Sequence, residues 1–473
     1  MSREMSLTDL SVVELARHIR TREVSPIDVV EAHIARIEAV NPRINAVVTS
    51  TFETARHEAQ RATEAIEQDQ PLGPLHGVPF TAKDCLDVAD VRSTTGLISR
   101  TNRHPHQDAT VVARIRQAGA ILLGKTNVPD NCWNQESTNL LFGRTNNPWA
   151  IERTVGGSSG GEAAIIAAGG SPLGIGSDIA GSIRLPAHFT GIVGLRPTSS
   201  TLPETGNWPP AAGRLADMEA IGPMARRVED VILAFEILRG QKIATDEAAL
   251  QGERVAFWFS DGLIPCSQAV VGGVQAAVNV LQQIGMDAVE DRPRAQLSNG
   301  LGWAAYFGEI ERDAVARGFG DGMAYQPLDE LRRTLFGTPR VSSGSLFYWI
   351  ISHYGAIGLR ALGIDGTQWR ENLREQFFDL VGERGVAVCP IFPVTAPRHG
   401  WTKRVLAPLT TIHTQAWVNL AGLPGLTVPV GRSGNGLPIG VQLVGAPGAE
   451  RVILAAGLAI QRYLMPQWRG PTL

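Results

Sequence analysis

Serine and glycine dominate residues 154–191, a stretch with almost no charge in its middle. A serine hydroxyl is a weak nucleophile that needs a neighbouring base, so its use depends on how the backbone presents it. Residues 177–182 read as a tight turn of small residues after a buried strand, and such a turn exposes consecutive N–H groups that can bind an anion. Ser182, at the end of this turn, is placed to attack a carbonyl whose oxygen those donors hold.

Two other chemistries fit parts of the same stretch. A phosphate-binding loop at residues 156–161 would continue with lysine, but Glu162 follows and its carboxylate would repel phosphate. A nucleophile elbow at residues 156–160 would make Ser158 the nucleophile, but it needs a strand leading straight into it. The preceding residues 146–153 are polar and contain a proline, which argues against such a strand.

No histidine lies close enough to these serines in the sequence to suggest itself as their base. Lys83 ends an apolar segment, residues 75–84, that reads as a short strand. A lysine whose pKa is lowered by burial can act as a base. The same pattern also suits a solvated lysine on the surface, which is the commoner outcome.

Hydrophobic periodicity predicts alternating helices and strands. Ser11 and Glu14 form a capping box, and Ser25 followed by Pro26 predicts a second helix start. Residues 120–124 are an apolar run that suits a buried strand. This pattern predicts an α/β sandwich whose mixed, largely parallel, twisted central sheet lies between helices.

Composition narrows the classes of function. The 473 residues are 44% hydrophobic and 19% charged, with a net charge of −3 and no basic stripe, so we expect no nucleic-acid partner. The four cysteines are far apart in sequence, which argues against a metal site or a disulfide framework and for a reducing compartment. No apolar run reaches the ~20 residues of a membrane span, and residues 1–11 lack the apolar stretch of a signal peptide, so we expect a cytoplasmic protein.

The serine- and glycine-rich stretch and the segment around Lys83 resemble the amidase signature family. The matching segments are GGSSGG at residues 156–161, GSDIAGSIRLPAHFTGIVGLRPT at residues 176–198 and GVPFTAKD at residues 77–84. The resemblance covers about residues 10–205 and 385–465. It implies one amidase signature domain over residues 1–473, with a variable elaboration on the substrate side at about 205–385.

The resemblance also implies a Ser–cis-Ser–Lys triad. Ser182 would be the nucleophile, Ser158 the bridging serine after a cis bond from Gly157, and Lys83 the base. The implied oxyanion hole consists of the N–H groups of Ile179, Ala180, Gly181 and Ser182. The implied supporting residues are Gly157, Ser159, Ser177, Asp178 and Arg184. The family often has two glycines before the nucleophile, whereas Ala180 here restricts positive φ values.

The function implied is hydrolysis of the C–N bond of a small apolar or aromatic amide through an acyl-enzyme on Ser182, with no metal or organic cofactor. Esters, anilides and carbamates are further candidate substrates. The alternative is the glutaminase subunit of a tRNA-dependent amidotransferase, and a binding protein with a dead site is a third reading. Leu185 stands where those subunits typically have glutamine, which favours a less polar acyl pocket.

The substrate pocket is predicted less directly, from aromatic content and position. The candidate pocket residues are Cys132, Trp133, Asn134, Trp208, Trp303, Tyr306 and Trp417. Each aromatic residue among them also suits a place in the core. The only partner that we expect with this function is a small-molecule amide, and family resemblance raises a homodimer as one oligomeric state.

Overall fold

The computed structural model describes residues 6–211, 215–294, 305–306, 312–323, 325–347, 349–350, 353–354, 366–404, 410 and 412–473. Trp303, one of the candidate pocket residues, lies outside these ranges.

A single eleven-stranded sheet organises the described residues, in the order β1-β3-β2-β6-β8-β7-β12-β13-β11-β9-β10. Its strands are β1 (Val47–Ser50), β2 (Pro79–Lys83), β3 (Ile121–Thr126), β6 (Leu173–Asp178), β7 (Val193–Arg196), β8 (Ala220–Ala225), β9 (Arg254–Phe257), β10 (Asp287–Glu290), β11 (Val386–Pro390), β12 (Gly425–Arg432) and β13 (Pro438–Val444). A separate small hairpin pairs β4 (Thr138–Asn139) with β5 (Gly143–Arg144).

Parallel and antiparallel pairing occupy different parts of this sheet. β3, β2 and β6 are parallel neighbours, and so are β11, β9 and β10. The strands between these two blocks pair antiparallel. The predicted mixed sheet between helices is thus confirmed, and the region at 205–385 contributes β8, β9 and β10 to it.

Helices flank the sheet. They are α1 (Val12–Arg20), α2 (Pro26–Ile44), α3 (Phe52–Glu67), α4 (Thr110–Gln117), α5 (Gly160–Ala167), α6 (Arg184–Thr190), α7 (Val228–Arg239) and α8 (Gln268–Gln283), followed by Arg312–Phe319, Pro327–Leu335, Gly366–Val381, Trp417–Leu420 and Glu450–Leu464. The predicted capping box of Ser11 with Glu14 is present, and Ser25 caps α2 ahead of Pro26. Within the described ranges, none of the helices has the length and apolar character needed to cross a bilayer.

The inner strands of the sheet bury both of their faces, and β11 shows this clearly. Val386 and Val388 belong to the core cluster on one side of the sheet, while Ala387 and Cys389 belong to another cluster. Because side chains alternate along a strand, β2 divides in the same way. Phe80 and Ala82 enter the first cluster, so Thr81 and Lys83 point to the opposite side, toward α5.

The N-terminal turn of α5 lies directly against the sheet. Glu162 in this turn accepts hydrogen bonds from Thr81 of β2 at 2.6 Å and from Thr126 of β3 at 2.8 Å. A Cβ at Gly174 of β6 would lie 2.1 Å from Glu162 Oε2, so only glycine allows this approach. Burial raises the pKa of Glu162 to about 8, so this carboxyl is mostly uncharged at pH 7.

Candidate active site

Lys83 ends β2 with its amine inside the protein. The side chain is completely buried, and Nζ lies 2.7 Å from Ser158 Oγ and 2.9 Å from Ser177 Oγ. Lys83 Nζ also donates to the backbone oxygen of Ser177 at 3.2 Å. The alternative of a solvated surface lysine is therefore wrong.

The carboxylate that follows Lys83 in sequence does not serve as its counter-ion. Asp84 lies 3.4 Å from Lys125 Nζ, and both of these side chains are buried. In the part of the chain that the structure describes, no carboxylate oxygen lies within 4.0 Å of Lys83 Nζ. Lys83 Nζ therefore contacts hydroxyl and carbonyl oxygens alone, which is the arrangement that a proton relay requires.

Ser159 connects the segment that carries Ser158 to the turn that carries Ser182. The bond between Gly157 and Ser158 is cis, as the resemblance implied. Ser159 N donates to Ser182 O at 3.1 Å, and Ser159 Oγ donates to Ser177 O at 3.2 Å. Residues 145–159, between β5 and α5, form no strand, so the strand that a nucleophile elbow requires is absent.

Asp178, the last residue of β6, holds the turn that follows. Its carboxylate accepts hydrogen bonds from Gly181 N at 2.7 Å and Ile183 N at 3.2 Å, and it pairs with Arg184 Nε at 3.0 Å. Burial alone would raise the pKa of Asp178, but the charge and hydrogen bonds of Arg184 hold it well below its ordinary value. The buried ion pair thus fixes the backbone ahead of Ser182.

The structure narrows the set of backbone donors in this turn. The resemblance implied that the Gly181 N–H helps to bind the oxyanion. In the structure this N–H donates to the carboxylate of Asp178 instead. For the N–H groups of Ile179, Ala180 and Ser182, no acceptor is found among the described residues. Gly181 has φ 99°, whereas Ala180 has no positive φ, so alanine at position 180 imposes no strain.

Comparison with known proteins identifies the family of this chain. The family model described as Amidase matches residues 28–454 of the chain. The chain belongs to the amidase signature family. It is accordingly a hydrolase that acts on carbon–nitrogen bonds.

Relatives of this amidase differ in their named substrates. It is 34% identical to fatty-acid amide hydrolase 2-A of Danio rerio, over 98% of this chain and 90% of that protein. It is 32% identical to the A subunit of the glutamyl-tRNA(Gln) amidotransferase of Carboxydothermus hydrogenoformans, over 97% and 98% of the two chains. The solved structure of 6-aminohexanoate cyclic dimer hydrolase complexed with substrate matches with a TM-score of 0.80, at 25% identity over 98% of this chain and 99% of the other.

A cavity of about 30 Å³ opens beside Ser158 and Ser177 of the amidase. Six apolar residues line it: Trp133, Ile179, Trp208, Pro209, Pro210 and Leu215. Its polar lining consists of Asn131, Cys132, Ser158, Ser177 and Glu219. This volume holds about two water molecules, so an acyl group must be small or the wall must shift to admit it.

Three predicted pocket residues lie elsewhere. Asn134 does not line the cavity, and its Oδ1 accepts a hydrogen bond from Glu136 N at 3.2 Å. Tyr306 is buried in a core cluster and donates to Asp217 at 3.0 Å. Trp417 is completely buried and packs against Trp258 with ring centroids 5.9 Å apart. Of the described candidates, only Cys132, Trp133 and Trp208 line the cavity. The other predictions failed because aromatic content alone does not distinguish a core residue from a pocket residue.

Two residues near the site, Glu219 and Gln415, were not predicted from the sequence. Glu219 immediately precedes the buried strand β8 and lines the cavity. A charged residue at the end of a buried strand is the same signal that pointed to Lys83. Gln415 packs behind the turn at Gly181, and no local pattern pointed to it. In the described ranges, no three His, Cys, Asp or Glu side chains come together as metal ligands could.

Gly181→Ala should lower kcat by about 10²- to 10³-fold. The new Cβ would lie 1.9 Å from Gln415 Oε1 and 2.8 Å from Gln415 Cβ, at a φ that alanine disfavours. Gln415 is completely buried and cannot swing into solvent. The turn must therefore shift, and loss of one aligned oxyanion donor has this effect on kcat. Steady-state amide hydrolysis measures the change.

Gly436→Ala is the matched control. Gly436 also has a positive φ, 81°, but it lies in the turn between β12 and β13 with nothing within 4 Å of an added Cβ. This variant should lose some stability and keep its kcat. Adding Gln415→Ala to Gly181→Ala makes room for the new methyl group and should restore part of the activity. Equal kcat values for Gly181→Ala and the wild type would contradict the predicted clash.

Proposed function

We propose that this amidase hydrolyses small amides through an acyl-enzyme on Ser182. Ser182 Oγ attacks the amide carbon while its proton passes to Ser158 Oγ, and the Ser158 proton passes to Lys83 Nζ. The N–H groups of Ile179, Ala180 and Ser182 receive the negative charge on the carbonyl oxygen.

Collapse of the tetrahedral intermediate breaks the C–N bond. The proton held by Lys83 returns through Ser158 to the leaving nitrogen, so the product departs as a neutral amine. Water then attacks the acyl-enzyme, gives its proton to the same relay, and releases the carboxylic acid with the Ser182 hydroxyl restored. Asp178 and Arg184 act only as positioning residues for the turn.

The observation that carries this proposal is the contact between Lys83 Nζ and Ser158 Oγ, 2.7 Å apart in a fully buried setting. A general base must lie within hydrogen-bond reach of the proton that it takes. The absence of a counter-ion for Lys83 within the described ranges supports the same role, since an ion pair would compete for the amine.

A small apolar or aromatic amide is the substrate that the cavity supports best. Trp133, Trp208 and Leu215 are three of the six apolar residues that line the cavity beside Ser158 and Ser177. Leu185, which we expected to make the acyl pocket less polar, does not line the cavity and packs in a core cluster with Phe189. Esters, anilides and carbamates present the same electrophilic carbon and are further candidates.

A glutaminase role within an amidotransferase is the second candidate. The 32% identity to the Carboxydothermus amidotransferase chain covers nearly the whole of both proteins, which supports it. A glutaminase of that kind acts on a polar substrate, whereas six of the cavity-lining residues are apolar. This difference favours the stand-alone amidase.

A panel of amides tests the proposed function. The full chain alone should release aniline from acetanilide, or ammonia from benzamide, and hydroxylamine should intercept the acyl group as a hydroxamate. Glutamine, propionamide and a phenyl carbamate complete the panel. Ammonia release from glutamine only, and only after the other amidotransferase chains are added, would overturn the proposal in favour of the second candidate.

A further inference from the structure

One carboxyl group interrupts the cavity wall. Glu219 immediately precedes β8, is only 6% exposed, and lines the cavity together with Ser158 and Ser177. The hydrolysis proposed above gives this side chain no task. A carboxyl group is costly to bury, so its presence beside reactive serines calls for a reason.

The protein itself satisfies Glu219 incompletely. Asn207 Nδ2 donates to Oε1 at 2.7 Å, and no donor to Oε2 is found among the described residues. No described lysine or arginine nitrogen lies within 4.0 Å of this carboxyl group. Burial raises the pKa of Glu219 to about 7, although the hydrogen bond from Asn207 and the charges of Lys83 and Arg196 act in the opposite direction. A ligand that brings a donor would supply what the fold does not.

The charge and the surroundings of Glu219 select the chemistry of that donor. A carboxylate on a ligand would be repelled, whereas an ammonium group would gain both a charge-assisted hydrogen bond and charge compensation. Trp133 and Leu215 on the same wall suit an apolar body next to that amine. We propose that Glu219 binds an amino group of the substrate, so that the preferred substrates are amides with a free amine on an aromatic or aliphatic body.

This assignment rests on the proposed function, and a matched pair of substrates tests it. Phenylalaninamide and 3-phenylpropanamide differ only in an amino group. The wild type should show kcat/KM about ten- to hundred-fold higher for phenylalaninamide, the range expected for a hydrogen bond to a charged group. Glu219→Gln keeps the acceptor for Asn207 and removes the charge, so the ratio should fall toward one.

Asp230→Asn is the matched control. Asp230 is another buried acid, whose pKa burial raises to about 7, but it does not line the cavity. This variant should keep the wild-type ratio. Glu219→Asp, which keeps the charge on a shorter side chain, should keep part of the preference. A ratio that Glu219→Gln leaves as in the wild type would overturn the proposal.

Binding of unreactive alcohols separates this inference from the proposed function. Isothermal titration of the full chain should show tighter binding of phenylalaninol than of 3-phenylpropan-1-ol, and Glu219→Gln should remove the difference. If no amide is hydrolysed and this difference is still present, the proposed function fails and the amine site stands. If the wild type binds both alcohols equally, the amine site is refuted whatever the amide panel shows.

Discussion

Ser182→Ala should abolish amide hydrolysis, with kcat lower by on the order of 10⁶-fold, as when a serine nucleophile is removed from another serine hydrolase. The variant has no oxygen that can form the acyl-enzyme. Its fold should persist, because the backbone oxygen of Ser182 still accepts from Ser159 N and Asp178 still holds the turn. Product release and the midpoint of urea unfolding, measured on the same preparation, check both statements.

Ser171→Ala serves as the control for this variant. Ser171 is also completely buried, but its Oγ donates to Leu173 O at 2.7 Å, away from the relay. It should cost about 1 kcal/mol of stability for the lost hydrogen bond and leave kcat intact. Amide hydrolysis that survives in Ser182→Ala would remove Ser182 from the role of nucleophile.

Lys83→Met should lower kcat by about 10²- to 10⁴-fold, the contribution typical of a general base. Methionine keeps the apolar stem of the side chain and removes the amine that lies 2.7 Å from Ser158 Oγ. Lys83→Ala should have at least the same effect on kcat, with an added loss of stability from the space it leaves. Single-turnover kinetics should show slower acylation and slower deacylation, because both steps use the relay that ends at Lys83.

Lys125→Met provides the contrast that separates chemistry from packing. Lys125 is as deeply buried as Lys83, but its amine pairs with Asp84 at 3.4 Å. Removing one member of a buried ion pair typically costs about 3–5 kcal/mol, so this variant should lose stability first. If Lys83→Met unfolded as readily as Lys125→Met and kept its activity when folded, the role of Lys83 would be structural.

The sequence by itself indicated several helices and strands and the reactive residue types. Ser11 and Ser25 predicted the starts of α1 and α2, because the side chain of a capping serine accepts a hydrogen bond from a backbone N–H only three residues further along the chain. The small-residue turn after β6 and the lysine that ends β2 followed from local pattern alone. Such features depend on neighbours along the chain, and these are present in the sequence.

Tertiary structure alone decided which of these groups meet. Lys83 and Ser158 are 75 residues apart and come together because β2 and β6 are neighbours in the sheet, with α5 packed against them. Trp417 reads like Trp208, yet one packs in the core and the other lines the cavity. Glu219 became a candidate only when β8 paired with β6, because long-range pairing rather than local propensity sets which side chains share a cavity.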